Sequence, residues 1–389
     1  MKRRFLFALL MLSAVSAAAQ TGFPPYGSFA PGGFDTVNRE NLNVNYSILI
    51  VATPGRGTGF SFPIVHDSLV WKKSGAAWLP ADGNWGWKTD VPVGSITYST
   101  QMKACLSGPR WDPWLETTTR YYNYVYVDPN GTAHAFPIDF HLDATNCNYP
   151  TSPAGGYATD GSGYHMYGPT AEVIAPNGVN VTAGGVAQKD TNGNFISKII
   201  VSSTETHWKD TRGVVALKIV KKTSPNCGAF AECVEYRYAD SSGTEHTVTL
   251  NYTTQWNVRP NFGCGGISEP TYNSAKLLRE IAFPNGLKYV FDYEDGAAGY
   301  KTGRISKVSL PTGGFYEYVY PGPNNGINCA DGKIISMDRK IGEQGSGSPS
   351  TWQYRRTFFN PDWKTKITEP PVSGQAANES TFIFDVAES

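Results

Sequence analysis

The sequence predicts an all-β protein in which an N-terminal β-sandwich-like or irregular β region is followed by stacked β-hairpin repeats. Three observations predict it. Aromatic residues are abundant, with 22 Tyr, 19 Phe and 10 Trp, types that suit pleated, half-buried surfaces. The 41 Gly and 26 Pro cut the chain at short intervals, too often for long helices. The third observation is a repeat. Laid over one another, LLREIAFPNGLKYVFDY and RISKVSLPTGGFYEYVY match Leu278 with Ile305, Ile281 with Val308, Gly286 with Gly313, Tyr289 with Tyr316 and Phe291 with Tyr318, each pair 27 residues apart. A fixed period marks units that cannot bury an apolar face alone and must stack on their neighbours. Each unit has the form of an alternating strand, a Pro-x-Gly turn and a second strand, which is a hairpin. Ile281, Gly286, Phe291, Val308, Gly313 and Tyr318 are its recurring core and turn positions.

Four segments follow in order. Lys2, Arg3 and Arg4 precede an apolar run from Phe5 to Val15 and the small residues Ala17, Ala18 and Ala19, the layout of a cleavable secretory signal over 1–19. An uncleaved anchor is the rival reading, but the run is short of the ~20 residues that span a bilayer, and no later segment comes close. The chain is therefore expected to be secreted or held at the cell surface, with no transmembrane segment. Positive and negative charges balance at 33 each, which disfavours nucleic acid as a partner.

Segment 20–150 is expected to be an N-terminal β region. Its lead-in TGFPPYGSFAPGGFDTVN has no periodicity, and then NLNVNYSILIV alternates, with Leu42, Val44, Tyr46, Ile48 and Ile50 on one face. A turn through Thr53 to Gly59 leads to a return strand holding Phe60, Phe62 and Ile64, in which His66-Asp67 has no accompanying nucleophile motif. Trp71, Trp78, Trp85, Trp87, Trp111 and Trp114 crowd the next stretch. They suit either core packing or, at Trp85 and Trp87, a platform for stacking on sugar rings. A clear hairpin follows, with Tyr122, Tyr124 and Tyr126 on one face and a turn at Asp128-Pro129-Asn130-Gly131.

Segment 151–270 is a second β-rich region. Between Asn146 and Gly168 the chain is rich in Gly, Ser and Pro, which predicts a long surface excursion; a lone histidine there, His165, suits a solvated position. Strands such as GVVALKIVKK, VEYRYAD and EHTVTLNY then alternate with Asn-Gly or Ser-Gly turns. DTNGN, with Asp190, Asn192 and Asn194, has part of a calcium-loop spacing but lacks the distal Glu, so a hairpin turn is favoured. Segment 271–389 holds the hairpin repeats; GKIISMDRKI with WQYRRTFF, and then TKITEPPVSGQAANESTFIFD, extend the pattern. Because the sequence stops directly after a strand, the expectation is the front part of a longer protein or a truncated reading frame.

Six cysteines in an exported chain predict disulfides. Cys227 and Cys233, close enough for one hairpin to join, are the best pair; Cys105, Cys147, Cys264 and Cys329 leave three pairings open. Zinc competes, yet there is no Cys-x-x-Cys and the histidines are scattered. The chain carries no Gly-x-Ser-x-Gly, His-Glu-x-x-His, phosphate-cradling loop or Gly-x-Gly-x-x-Gly, so no catalytic, cofactor-binding or metal residues are assigned and no cofactor is expected.

The hairpin grammar resembles the YD repeats of RHS-repeat proteins. Phe291-Asp292 and Phe384-Asp385 stand where that family has Tyr-Asp, Gly303-Arg304-Ile305 is similar to its Gly-Arg-Leu start, and Asn41 to Trp71 resembles the segment that introduces many secreted bacterial members. The resemblance implies the entry portion of a β-strand spiral shell around a hollow interior. Such shells enclose a C-terminal toxic or variable domain, or act in cell-surface contact. Its expected partners are downstream repeats of the same protein or a C-terminal payload domain, or cell-surface glycans or proteins. A non-catalytic scaffold or interaction module is thus the leading expectation. A secreted carbohydrate-binding or adhesion protein is the alternative, and a secreted hydrolase the weaker one.

Overall fold

Short connections can return a strand only antiparallel, because a parallel return needs a crossover of a dozen residues or more. The computed structural model describes residues 29–31, 34–89, 95–109, 111, 113–128, 133–142, 154–181, 187–343, 345, 347–372 and 374–384. The signal expected at 1–19, Cys147 and Asp385 lie outside them. Among the described residues the protein is all-β, with every strand-to-strand pairing antiparallel and only three short 3₁₀ turns.

Strands β1 (Phe29–Pro31), β2 (Asp35–Asn38), β3 (Val44–Thr53) and β4 (Phe60–Asp67) come first. A small hairpin of β5 (Trp71–Ser74) and β6 (Ala77–Pro80) follows, and β7 (Trp87–Lys88) returns to β4, giving a sheet of order β1-β2-β3-β4-β7. An arm of three strands comes next: β8 (Ser95–Ser107), β9 (Trp114–Val127) in the middle and β10 (Ala133–Leu142).

All the remaining strands join one 18-stranded sheet in which each pairs with the strand before it and the strand after it in the chain. It begins with the short β11 (Gly155–Tyr157), β12 (His165–Tyr167), β13 (Glu172–Ile174), β14 (Asn180–Val181) and β15 (Ala187–Lys189). It lengthens through β16 (Phe195–Ile200), β17 (Glu205–Lys209), β18 (Val215–Thr223), β19 (Glu232–Ala239) and β20 (Glu245–Thr253). The repeats of the sequence are β21 (Leu277–Ala282) with β22 (Lys288–Asp295), and β23 (Lys301–Ser309) with β24 (Gly314–Val319). The sheet closes with β25 (Ser336–Glu343), β26 (Ser350–Phe359), β27 (Asp362–Thr368) and β28 (Glu379–Phe384), and it passes the boundary expected at 270 without a break in strand order.

One turn recurs along it. At Ala175, Asp190, Asp210, Asp240, Phe283 and Leu310 the backbone N–H donates to the carbonyl four residues on, and the N–H of the glycine at the fourth position donates back. Those glycines, Gly178, Gly193, Gly213, Gly243, Gly286 and Gly313, have φ between +80° and +88°. This is the three-residue hairpin loop that ends in a left-handed residue, where glycine carries no Cβ penalty. In three of the six the Asp side chain accepts the N–H two and four residues on, and DTNGN is one of these.

Register sets the core. Residues directly opposite one another include Trp208 and Leu217, Ile219 and Tyr236, Leu250 and Ile281, Phe291 and Val308, Val308 and Tyr316, Met337 and Tyr354, and Tyr354 and Ile367. All are buried on one face, and against it lie Val44, Tyr46, Ile48, Phe62, Ile64 and Trp87 of the first sheet. The N-terminal sheet therefore has no sandwich partner of its own making; its second layer is the large sheet, because its apolar stripe has that inner face to cover. The other face of the large sheet carries cross-strand ion pairs, among them Lys222–Glu235, Lys288–Glu280, Lys340–Glu317 and Lys366–Glu379.

A second, separate core gathers Tyr124, Tyr126, Phe136, Ile138 and Phe140 of the arm with Ala158, Met166 and Val173. The excursion expected between Asn146 and Gly168 is corrected here: Gly155–Tyr157 and His165–Tyr167 are strands, and Met166 is buried against the arm's tyrosines. Glycine-rich flanks mask two three-residue strands whose few apolar side chains suffice only because the arm covers them.

Candidate functional site

Buried polar chemistry gathers at two places: the seat of the N-terminal sheet on the large sheet, and the base of the arm. At the seat, Phe34 stacks among Tyr46, Tyr289 and Tyr316 with centroids 4.9, 5.6 and 5.3 Å away. Strand alternation turns the next residue, Asp35, inward, where it meets Arg339 of β25. The Arg339 Nε donates to Asp35 Oδ2 at 2.7 Å and its Nη2 to Oδ1, and the Tyr318 hydroxyl donates to Oδ2 at 2.8 Å. Both charges are buried, so each depends on the other for compensation. Burial alone would lower the Arg339 pKa, but Asp35 outweighs it and holds the guanidinium above its ordinary value. Burial and the adjacent Asp35 carboxylate push the Tyr318 hydroxyl well above the usual tyrosine range, so it remains a donor.

A second line of contacts runs through the tryptophans. The Trp71 indole N–H donates to the carbonyl of Thr302 at 2.6 Å. Trp85 lies on Gly303, whose φ is +82° and where an added Cβ would come 2.9 Å from the indole, so only glycine fits. Trp78 packs edge-on to Phe262 at 4.8 Å, beside the Cys264–Cys329 disulfide, and Lys73 Nζ donates to the carbonyls of Cys329 and Ala330 at 3.0 Å each. Glu40 pairs with Lys333 at 2.6 Å, and the buried Arg356 lies against the Trp363 ring, 3.2 Å from Asp331 and 3.7 Å from Glu40.

Trp85 and Trp87, expected as a possible sugar platform, are corrected to core residues. Trp87 packs edge-on against Phe291 at 4.8 Å and Trp85 against Trp71 at 5.4 Å, leaving neither ring a face for a sugar. His66 lies between Tyr46 and Trp87, and burial pushes its pKa down to about 3, so it is a neutral packing residue. Ile281, Phe291, Val308 and Tyr318 are buried in the main core, while Gly286 and Gly313 sit at exposed turns. Cys227 and Cys233 are joined across the β18–β19 connection, with S–S at 2.11 Å. Cys105 is also disulfide-bonded.

At the base of the arm, His134 of β10 faces two carboxylates. Its Nδ1 is 2.5 Å from Asp160 and its Nε2 is 3.7 Å from Asp128, with the Tyr164 ring at 4.4 Å. Burial would lower the pKa of this histidine, but the two carboxylates more than reverse it and raise it above its ordinary value. The cluster ties β9 and β10 to the β11–β12 turn. Among the described residues no group of three or more His, Cys, Asp or Glu could hold a metal.

No protein-family model, no curated protein and no solved structure matches this chain.

Chemically, the seat can do one thing well: lock two sheets together through matched charges in a dry contact. Reading the sequence alone missed Asp35 and Arg339. The signal was present as parity, since Arg339 occupies an inward position two residues after Met337, where a charged side chain requires a partner.

Proposed function

We propose that the chain is a non-catalytic scaffold of the RHS/YD-repeat kind, exported from the cell, in which the N-terminal sheet is a plug on the inner face of a hairpin shell. The observation that carries this reading is the unbroken succession of hairpins with inward apolar parity from Ile196 to Ile367, covered by the N-terminal sheet and paired by charge outside. Stacked hairpin units of this type extend by adding the next strand to the last, and β28 continues the parity with Phe382 and Phe384 on the inward side, opposite Thr365 and Trp363. Further hairpins of the same protein would build on β28, and the enclosed space would hold a C-terminal payload or the outer surface would mediate contact between cells. Sequencing the native locus beyond codon 389 tests this. More strand, Pro-x-Gly and strand units are expected, and electron microscopy of the gene product should show a hollow particle; a stop codon or a solid particle would sink the idea.

A further inference from the structure

We propose that the edge of β28 selects an acidic strand: a segment laid along it presents an Asp or Glu opposite Phe382, and that carboxylate pairs with Arg39 of the N-terminal sheet. This rests on the reading of β28 as the edge at which further hairpins add, and names what that edge recognises.

The two ends of the large sheet differ. β11 has three residues, two of them glycine, and lies beside the arm, where an added Cβ at Gly156 would meet Pro137 at 3.6 Å. β28 has six residues, ESTFIF, with neither Pro nor Lys to blunt it, and among the described residues it pairs only with β27. Thr381, Phe382, Ile383 and Phe384 suit a strand with neighbours on both sides, yet Ile383 is exposed and the inward Phe382 only partly buried.

Over that inward side stands an unmatched charge. The Thr365 hydroxyl donates to the Arg39 carbonyl at 2.6 Å, which fixes Arg39 above the row Arg356, Thr365 and Phe382, opposite one another on β26, β27 and β28. The Arg39 guanidinium lies over the Phe382 ring, 4.1 Å from its centroid, and its buried Nε has no hydrogen-bond partner. Asp35, Glu40 and Asp331 are engaged by other cations, Arg339, Lys333 and Arg356 in turn. Burial holds Arg39 below the ordinary arginine pKa, and no carboxylate offsets this.

A guanidinium taken out of water without a counter-charge calls for an anion. Residues 1–34 contain no Asp or Glu, so the chain's own lead-in cannot supply one. In an antiparallel pair the residue opposite Phe382 has its Cβ ~4.5–5.5 Å away, within reach of a cation lying on that ring. The seat already uses this device with the signs exchanged, since Asp35 of the first sheet meets Arg339 of the large one.

The test uses the intact chain and fluorescein-labelled peptides read by polarisation: Val-Lys-Val-Thr-Asp-Thr-Val-Lys-Val, and the same peptide with Asn at its centre. The Asp peptide should bind at least tenfold tighter, the gap should narrow as salt rises, and amide exchange in β28 should slow when it binds. In Arg39→Gln the two peptides should bind alike, at the level of the Asn peptide. Asp385→Asn with Glu388→Gln should bind the Asp peptide like wild type; a gain there would mean that these acids already occupy Arg39, and overturns the proposal. Equal binding of both peptides to the wild-type chain overturns the acid preference while leaving the edge able to add strands. Binding of neither, or a preference that survives Arg39→Gln, also overturns it. So does inorganic phosphate that displaces the Asp peptide at micromolar concentration, by assigning the guanidinium to a free anion. Should Arg39→Gln fail to fold, the peptide pair and β28 exchange in the wild-type chain decide. The shell reading stands or falls separately, on the sequence of the native locus.

Discussion

Between Trp71 and Trp114 six tryptophans follow one another in sequence, yet the molecule treats them in two ways. Trp71, Trp78, Trp85 and Trp87 are buried at the seat, while Trp111 and Trp114 stand out at the end of the arm. Composition and local alternation do not separate the two groups. What buries the first group is a second layer: the inner face of the large sheet lies opposite β4 to β7. A tryptophan becomes core when another sheet arrives to cover it.

Four substitution experiments sharpen or break this contrast. Trp78→Ala should cost about 3–5 kcal/mol in urea unfolding, as large aromatic truncations in cores do, while Trp111→Ala should stay within about 0.5 kcal/mol. Equal costs would erase the distinction between seat and arm. Arg339→Met strands a buried carboxylate and should cost about 3–5 kcal/mol, and adding Asp35→Leu should recover a good part of it. A double-mutant cycle with no coupling would mean that the pair does not fasten the seat. Gly286→Val and Gly313→Val should each cost about 1–2 kcal/mol through the left-handed backbone alone, since nothing lies within 4 Å of an added Cβ. Gly303→Ala should cost more, because the Trp85 indole stands in the way.

The smallest effect should be a pH dependence confined to the arm. His134 has its pKa raised by folding, so its contribution is complete below the ordinary value of 6.5 and is lost as pH climbs through the folded value above it. Amide exchange across β9 and β10 should therefore quicken as pH rises above the ordinary value of 6.5, after correction for the intrinsic rate, and His134→Gln should flatten the response. An arm whose protection ignores pH would show that the cluster does not hold it.

How much of this could be read from the residues depends on the range of the interaction. Val44, Tyr46, Ile48 and Ile50 are buried as their alternation demands, and Ser47 and Leu49 on the opposite face are exposed, because strand parity is local physics, whereas Leu42, expected on the same strand, is buried from a left-handed position ahead of it. Two of the six equivalent turns were visible as a repeat. Of the other four, those at Gly178, Gly193 and Gly243 were legible as Asn-Gly or Ser-Gly turns but not as repeats, and the one at Gly213 was not legible, because the four follow one another at intervals of 15, 20 and 30 residues and no single offset aligns them. Asp35 and Arg339 were illegible for a different reason: they meet across 304 residues, and neither strand announces its partner. The burial of Trp85 and Trp87 depends on that same distant encounter.

That separation also sets an order of events for a chain that emerges from its N-terminus. Each strand of the large sheet finds its partner in the strand just made, so the ribbon can grow as fast as it is supplied, with little loop to close at each step. The first sheet is made earliest and finished last. Its apolar face must wait, with Asp35 unmatched, until Arg339 has appeared, and during that interval it is the most adhesive surface on the nascent protein. Shielding of residues 34–89 by a holding factor, more than catalysis of any later hairpin, should therefore govern the yield of correctly assembled molecules.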